Sequence, residues 1–519
     1  MKSEVLSILL MGSVSAGFCS EPQKPNIIFI MADDYTSQAV SAYGGRLNSV
    51  FQTPNIDRIV NEGVRFDNCF VTNSICTPSR ACILTGEYSH KNGVYTLDDK
   101  LDTKHMNVAK ELQNNGYTTS VIGKWHLHSE PTGFDYYNVL PGQGKYRDPF
   151  LKEKGKIIGD FEDSNGKEKH KGYSTDVITD ETLEWLDGRD QSKPFFLMCH
   201  FKAPHRPWTP AKRFKHMFDG VTIPEPDNLF DDYENRGEWA KHTFNKIGKD
   251  MKTGDLGTFR RKDTLQGKAR LKWAYQLYMK RYLACCAAVD ENVGRLLDYL
   301  ENNGLDENTI VVFTGDQGFF LGEHGFFDKR MMLEECFSTP LLIKYPKQVK
   351  AGQVKEELVS NIDFAPTFLD YANVQIPEQM QGKSMKGILS GETQKKWRKS
   401  IYYRYWMHGA DHGIPAHYGI RTERYKLIFY YGLQLGMKGT DDYWDPYNKA
   451  AGKITATQPE WELYDLEKDP AEMNSVYNDA SYRKVVKKLK KELLKQKKLV
   501  GDSDEAYPEL QEVTKKYWN

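Results

Sequence analysis

The chain has 519 residues, 39% of them apolar and 13% aromatic, which is the make-up of a folded protein with one large core or two and excludes a disordered one. Basic and acidic residues number 71 each, so no global charge draws the chain to nucleic acid or to a membrane. Any selectivity for anions has to be local.

Residues 1–20 carry Lys2, an apolar run from Val5 through Phe18 and small residues at Ser15, Ala16 and Gly17, the pattern of a secretory signal peptide. Cys19 raises the alternative of a surface lipoprotein, against which Phe18 is large for the position before such a cysteine. No other apolar stretch approaches the ~20 residues that cross a bilayer, so the expectation is an exported protein, periplasmic or extracellular, with no transmembrane span. The eight cysteines have no regular spacing, and export permits disulfides without requiring them.

Pro25 to Met31 is a continuous apolar run, as in a strand buried on both faces of a parallel sheet, and it leads into Asp33-Asp34. Adjacent carboxylates at the C-terminal end of such a strand sit where α/β proteins place ligands. Unpaired they repel, which a hard cation such as calcium or magnesium resolves; the plainer reading is two loop aspartates capping the next helix. A helix starts near Pro54, with Ile56, Ile59 and Val60 on its apolar face. In Cys76-Thr77-Pro78-Ser79-Arg80, Pro78 favours an extended segment that turns into a helix at the cap residue Ser79, with Arg80 near the anion-favouring N-terminus. The plain alternative is a buried loop cysteine before a capped helix.

Val108 to Asn115 reads as a helix and Tyr117 to Ile122 as a strand ending in Gly123-Lys124-Trp125-His126. Lys124 and His126 project to the same side of an extended chain, one to hold an anionic oxygen and the other to move a proton. Gly142 to Gly172 reads as an irregular excursion at a site entrance, Asp176 to Asp187 as a helix, and Pro194 to Phe201 as a buried strand. Prolines 204 and 207 then stiffen the loop bearing His205. Asp219 to Leu265 is a polar insert, a second rim candidate, and Tyr275 to Asn302 a long amphipathic helix. Thr309 to Thr314 is one more buried strand, ending in Asp316-Gln317, a second pair of oxygen ligands.

This alternation predicts a large, mostly parallel α/β sheet flanked by helices. The composition turns polar near Leu389 to Trp397, dividing residues 21–390 from 391–519. Beyond it, Ser400–Trp406, Tyr418–Arg421, Tyr425–Tyr431 and Glu462–Leu466 read as short antiparallel strands. Arg483 to Leu499 reads as a basic, packed and solvated helix rather than a nucleic-acid binder.

The run Cys76-x-Pro78-Ser79-Arg80, continued by Leu84-Thr85-Gly86, resembles the maturation signature of the formylglycine sulfatases of the alkaline phosphatase superfamily at every fixed position. Gly123 to His126, Glu323 to Arg330, Gly419 to Leu427 and Glu462 to Pro470 are similar to further segments of that family, so the resemblance covers nearly the whole mature chain. It implies an alkaline-phosphatase-like catalytic domain with a smaller C-terminal α+β subdomain. It also implies that a maturase converts Cys76 to an aldehyde whose hydrate attacks sulfur and later expels sulfate by breaking its own C–O bond. One calcium ion is implied at Asp33, Asp34, Asp316 and Gln317; many sulfatases have Asn or His where Gln317 stands, and Gln puts the amide oxygen on a longer arm. By the same resemblance Arg80 steadies the hydrate and Lys124 and Lys329 bind sulfate oxygens. His205, alone or with Lys329, protonates the leaving oxygen, and His126 takes the proton that triggers elimination.

The expected activity is a carbohydrate sulfatase acting on glycosaminoglycan, mucin or algal glycans, resembling bacterial N-acetylglucosamine-6-sulfatase-like enzymes, with galactose-type sugars left open. His128, Arg147, Arg206, Trp208, His324 and Arg330, with Tyr146, are the candidate sugar contacts. Two rivals remain. One is a phosphate or phosphonate ester hydrolase of the same superfamily; the other is a non-catalytic, calcium-dependent binder of sulfated glycans, against which the intact maturation signal and paired histidines argue.

Overall fold

The computed structural model describes residues 24–157, 160–161, 168–257, 264–392, 394, 396–438 and 457–518. The expected signal segment and Cys19 lie outside them.

Four seven-residue strands form the middle of a ten-stranded mixed sheet. Their spatial order is Thr309–Gly315, Asn26–Ala32, Phe195–Phe201 and Thr118–Lys124, all parallel. Their residues are almost wholly buried, which is why they read as unbroken apolar runs rather than alternating ones. Within Asn26–Ala32 the side chains divide by parity: Ile28 and Ile30 enter one core with the long helix Gly267–Asn302, while Ile27, Phe29 and Met31 enter another with the helix Phe364–Tyr371. Two covered faces leave the sheet's C-terminal edge as the place where polar side chains converge. Antiparallel strands occupy both flanks, with Leu341–Lys344 on one and Phe150–Glu153 on the other.

A second, four-stranded antiparallel sheet follows, made of Ser400–Tyr405, His417–Thr422, Tyr425–Tyr430 and Glu460–Asp465. Ile401, Tyr403, Tyr405 and Tyr430 pack toward the first sheet together with Phe70, Ile75 and Cys76. Tyr402, Tyr418, Ile420 and Phe429 face outward, where Leu489, Leu493 and Val500 of the helix Arg483–Val500 cover them.

Some boundaries differ from the sequence reading. The long helix begins at Gly267, eight residues before its apolar stripe, because its first two turns lie over solvent and carry no periodic signal. The excursion from Gly142 is less irregular than expected, since Phe150–Glu153 and Glu168–Lys169 extend the sheet edge. The seven cysteines among the described residues are all buried and unpaired. No helix among those residues is long and apolar enough to cross a membrane.

Candidate active site

Cys76 is the first residue of the helix Cys76–Thr85 and is 1% exposed. The expected helix start at Ser79 is corrected here: Pro78 sits inside the first turn, where its missing N–H is no loss, so nothing delays the helix to Ser79. Ser79 instead donates its hydroxyl to the Asp316 carbonyl and accepts from Asn361 Nδ2 at 3.0 Å. Burial pushes the Cys76 thiol above its ordinary range, with Lys329 and Lys124 only partly offsetting it. An unmodified cysteine here is a neutral thiol, hence a weak nucleophile.

Around it stand three carboxylates and three cations, all buried. Asp33, Asp34 and Asp316 each offer an oxygen within 4.8 Å of the others. Arg80 donates Nε to Asp316 Oδ2 at 3.0 Å and Nη1 to the Lys124 carbonyl at 2.7 Å, and its Nη2 lies 3.5 Å from Asp33 Oδ1. Lys124 pairs with Asp33 and donates to Gln143 Oε1 at 2.6 Å, and Lys329 pairs with Asp34. Gln317 donates Nε2 to Asp34 Oδ1 at 2.5 Å.

Despite this crowding, Asp34 Oδ2 and Gln317 Oε1 are buried with no hydrogen-bond partner among the described residues. Burial, with repulsion from Asp33 and Asp316, raises the Asp34 carboxyl to about 7 against the pull of Lys329. Asp316 is raised by burial and by Asp33. Asp33 alone is held well below the usual carboxylate range, where Lys124, His205, Arg80 and Lys329 together overcome its burial. Orphaned oxygens on two like-charged strand ends are the donor set of a hard divalent cation, so the residues fit a calcium or magnesium ion. With such an ion the centre carries excess positive charge and can receive an anionic ester.

Two histidines flank this centre. Thr77 Oγ1 lies 3.3 Å from His126 Nδ1, and burial and Lys124 depress His126 far below the ordinary imidazole range. The His205 Nδ1–H donates to the Arg206 carbonyl at 2.6 Å, which leaves Nε2 facing Asp34 Oδ2 at 3.8 Å. Burial likewise holds His205 neutral, with Asp33 opposing. Its backbone is fixed by Tyr146, which donates its hydroxyl to the His205 carbonyl at 2.6 Å.

An outer cluster completes the wall. Asp328 meets His412 Nε2 at 3.3 Å, Arg330 Nε at 3.5 Å and Arg206 Nη2 at 3.6 Å, and Arg330 Nη2 reaches Asp411 at 2.8 Å. The loop between the first two strands of the small sheet supplies Asp411 and His412, and the insert holds it: Phe244 N donates to the His412 carbonyl at 2.8 Å. Six site residues, Asp34, His126, His128, Asp328, Arg330 and Asp411, have positive φ without being glycine. Strain of that kind persists where the surroundings over-determine a conformation, as at a binding site.

The structure thus brings Cys76, Arg80, Lys124, His126, His205, Lys329 and the four oxygen donors together. His128 stands beside His126 with ring centroids 5.3 Å apart, and Arg206 and Arg330 join the outer cluster. Two expected sugar contacts are corrected. Trp208 is 1% exposed and packs on Tyr278, so it is core. His324 is fully buried and hydrogen-bonded with Asp231 at 2.9 Å and with Arg236. Arg147 is exposed and donates Nη2 to the Pro210 carbonyl at 3.0 Å. Missed in the sequence were Gln143, Asp328, Asp411 and His412. The run Met407-His408-Gly409-Ala410-Asp411-His412-Gly413, polar and glycine-rich between two apolar strands, was the available signal for the last two.

Residues 25–374 match the sulfatase family, and residues 322–449 and 453–499 match the family described as N-sulphoglucosamine sulphohydrolase, C-terminal. An N-acetylglucosamine-6-O-sulfatase of Bacteroides thetaiotaomicron is 44% identical over 97% of this chain and 93% of its own length. A solved structure bound to its substrate D-glucosamine-2-N,6-O-disulfate, also 44% identical, superposes with a TM-score of 0.83 over 93% of this chain and 99% of that one. The phosphonate monoester hydrolase of Agrobacterium radiobacter shares the fold, with a TM-score of 0.69 at 20% identity over 92% and 96% of the two chains. Matched to the sulfatase family over residues 25–374 and 44% identical to a relative over 97% of its length, the chain belongs to the sulfatase family and is a sulfuric ester hydrolase.

Proposed function

We propose that the protein removes 6-O-sulfate from glucosamine-type sugars at the ends of sulfated glycans, working outside the cytoplasm after export through its N-terminal segment. The carrying observation is the charge-dense centre built around the first residue of the helix Cys76–Thr85, in a chain 44% identical to an N-acetylglucosamine-6-O-sulfatase. The Cys76 thiol, held neutral by burial, is a weak nucleophile, and the signature Cys76-x-Pro78-Ser79-Arg80 is what supports its conversion by a maturase. The aldehyde made from it supplies, as its hydrate, a hydroxyl nucleophile and a second hydroxyl whose deprotonation releases sulfate.

Asp33, Asp34, Asp316 and Gln317 would hold calcium, which would supply Lewis-acid neutralisation of the ester charge. Lys124 and Lys329 turn from their carboxylates toward the sulfate oxygens, and Arg80, tied to Asp316 and the Lys124 carbonyl, stays in place as a fixed positive wall. His126, neutral and steadied by Thr77, accepts a proton at the nucleophile side. His205 offers Nε2 at the leaving-group side, where a proton gained on ester binding, or one from Lys329, goes to the departing sugar oxygen. Asp328, Arg206, Arg330 and His412 present polar donors and acceptors suited to sugar hydroxyls.

The test is sulfate release by calcium-loaded protein, co-expressed with a maturase, from N-acetylglucosamine 6-sulfate, galactose 6-sulfate and 4-nitrophenyl phosphate. The reading expects the first to exceed the others in kcat/KM; preference for the galactose ester or for the phosphate overturns the substrate assignment.

A further inference from the structure

The charge balance of the whole chain conceals a strong segregation. The helix Arg483–Val500 contains nine basic residues and one acid, Glu492. Since the protein totals 71 of each sign, the remainder carries 62 basic against 70 acidic residues. This one element thus carries a net charge of +8 and the rest of the chain −8.

The exposed positions of this helix are ordered. Lys484, Lys487, Lys488, Lys491, Lys495 and Lys498 are all exposed, and at 3.6 residues per turn they fall within an arc of about 100°, forming a stripe about 21 Å long. Lys495 shares Glu492 at 3.4 Å, while the other five make no ion pair among the described residues. The opposite face is fixed: Leu489, Leu493 and Val500 are buried against the small sheet, and the Val500 carbonyl accepts from Gln381 Nε2 at 2.8 Å. Two of the helix's other lysines are already used, Lys490 at Tyr477 and Lys497 at Asp504. What remains on this fixed helix is a row of ammonium groups, five of them without an ion pair among the described residues, which repel one another until an anion lies along them.

We propose that this stripe docks linear sulfated polysaccharide, holding the polymer near the enzyme while a chain end enters the pocket; the proposal rests on the glycan-sulfatase reading above. The charge is complementary to a polyanion, and straight lysine rows are the pattern of heparin-type patches. A membrane is a poorer match, because the apolar face that would insert is buried under the helix, leaving only Leu494 and Leu499 exposed at the margins. Nucleic acid is poorer too, since the stripe has no aromatic ring on which a base could stack.

The test compares wild type with the quadruple variant Lys484→Glu, Lys488→Glu, Lys491→Glu, Lys495→Glu. The Lys→Gln set replaces it if charge reversal prevents folding. Affinity for heparin in 50 mM salt should fall roughly tenfold or more, with the difference vanishing near 0.5 M as screening shortens. Turnover of a monosulfated monosaccharide should stay unchanged, while kcat/KM on polymer falls at low salt. Equal heparin affinity for variant and wild type overturns the proposal, as does tighter wild-type binding to phosphatidylglycerol vesicles or single-stranded DNA than to heparin. Heparin retention needs no turnover, so inactivity on 6-sulfated sugars with intact stripe-dependent binding would count against the substrate reading alone.

Discussion

Cys76 is buried, neutral and first in its helix, and the proposed mechanism uses the aldehyde made from it rather than its thiol. Cys76→Ala should lose turnover by roughly a thousandfold or more while costing only about 1–2 kcal/mol in stability, read as paired kcat and denaturant midpoints. Turnover within tenfold of wild type would remove Cys76 from the mechanism. At the outer cluster, His412→Ala should raise KM roughly tenfold for the sulfated sugar with a smaller change in kcat, since His412 meets Asp328 and none of the inner cations. A loss confined to kcat would place His412 in the chemistry instead. The inner residues were legible because each sits at the end of an apolar strand or inside a fixed motif. Asp411 and His412 were not, because they reach the site from more than 300 positions beyond Cys76, through a loop whose docking on Phe244 no local pattern encodes. Trp208 and His324 misled for the converse reason: their residue types suit a rim, and only tertiary packing makes them core.

Among the elements, the strand Thr118–Lys124 shows how closely the site is tied to the sheet. Gly123 has φ +103, and a Cβ there would meet the His200 carbonyl oxygen at 2.0 Å. Gly123→Ala should therefore cost roughly 3 kcal/mol or more and displace Lys124, lowering both the unfolding midpoint and kcat. The small sheet carries a pH dependence. Burial lowers His408 and His417 to about 4, the latter against its bond to the Pro415 carbonyl. Because the unfolded imidazoles take up protons near ~6.5 and the folded ones only near 4, stability present above 6.5 is lost as pH falls between those values, by up to about 3 kcal/mol for each histidine. Urea midpoints measured from pH 7 to 4 should fall less steeply for His417→Gln than for wild type; parallel curves would contradict this. Strand and helix identities could be read from apolar runs and stripes, whereas the start of the long helix and the edge strands near Gly142 could not, since their exposed residues leave no periodic trace.

At the scale of the whole molecule, two sheets meet around one charged centre, and the site is complete only because the small sheet's loop closes over the large sheet's edge. Calcium bound there would link three mutually repelling carboxylates and the Gln317 amide, so saturating metal should raise the unfolding temperature by a few degrees, about 2.7 kcal/mol at a hundredfold excess over Kd. Asp34→Asn should abolish that shift. One measurement decides whether an aldehyde at position 76 does the chemistry: sulfate released from N-acetylglucosamine 6-sulfate by calcium-loaded protein whose residue 76 has been identified by peptide mass. Release that scales with the fraction of aldehyde at position 76 is the predicted result. Full release from protein with an intact Cys76 thiol, or none from protein fully converted to the aldehyde, would contradict it.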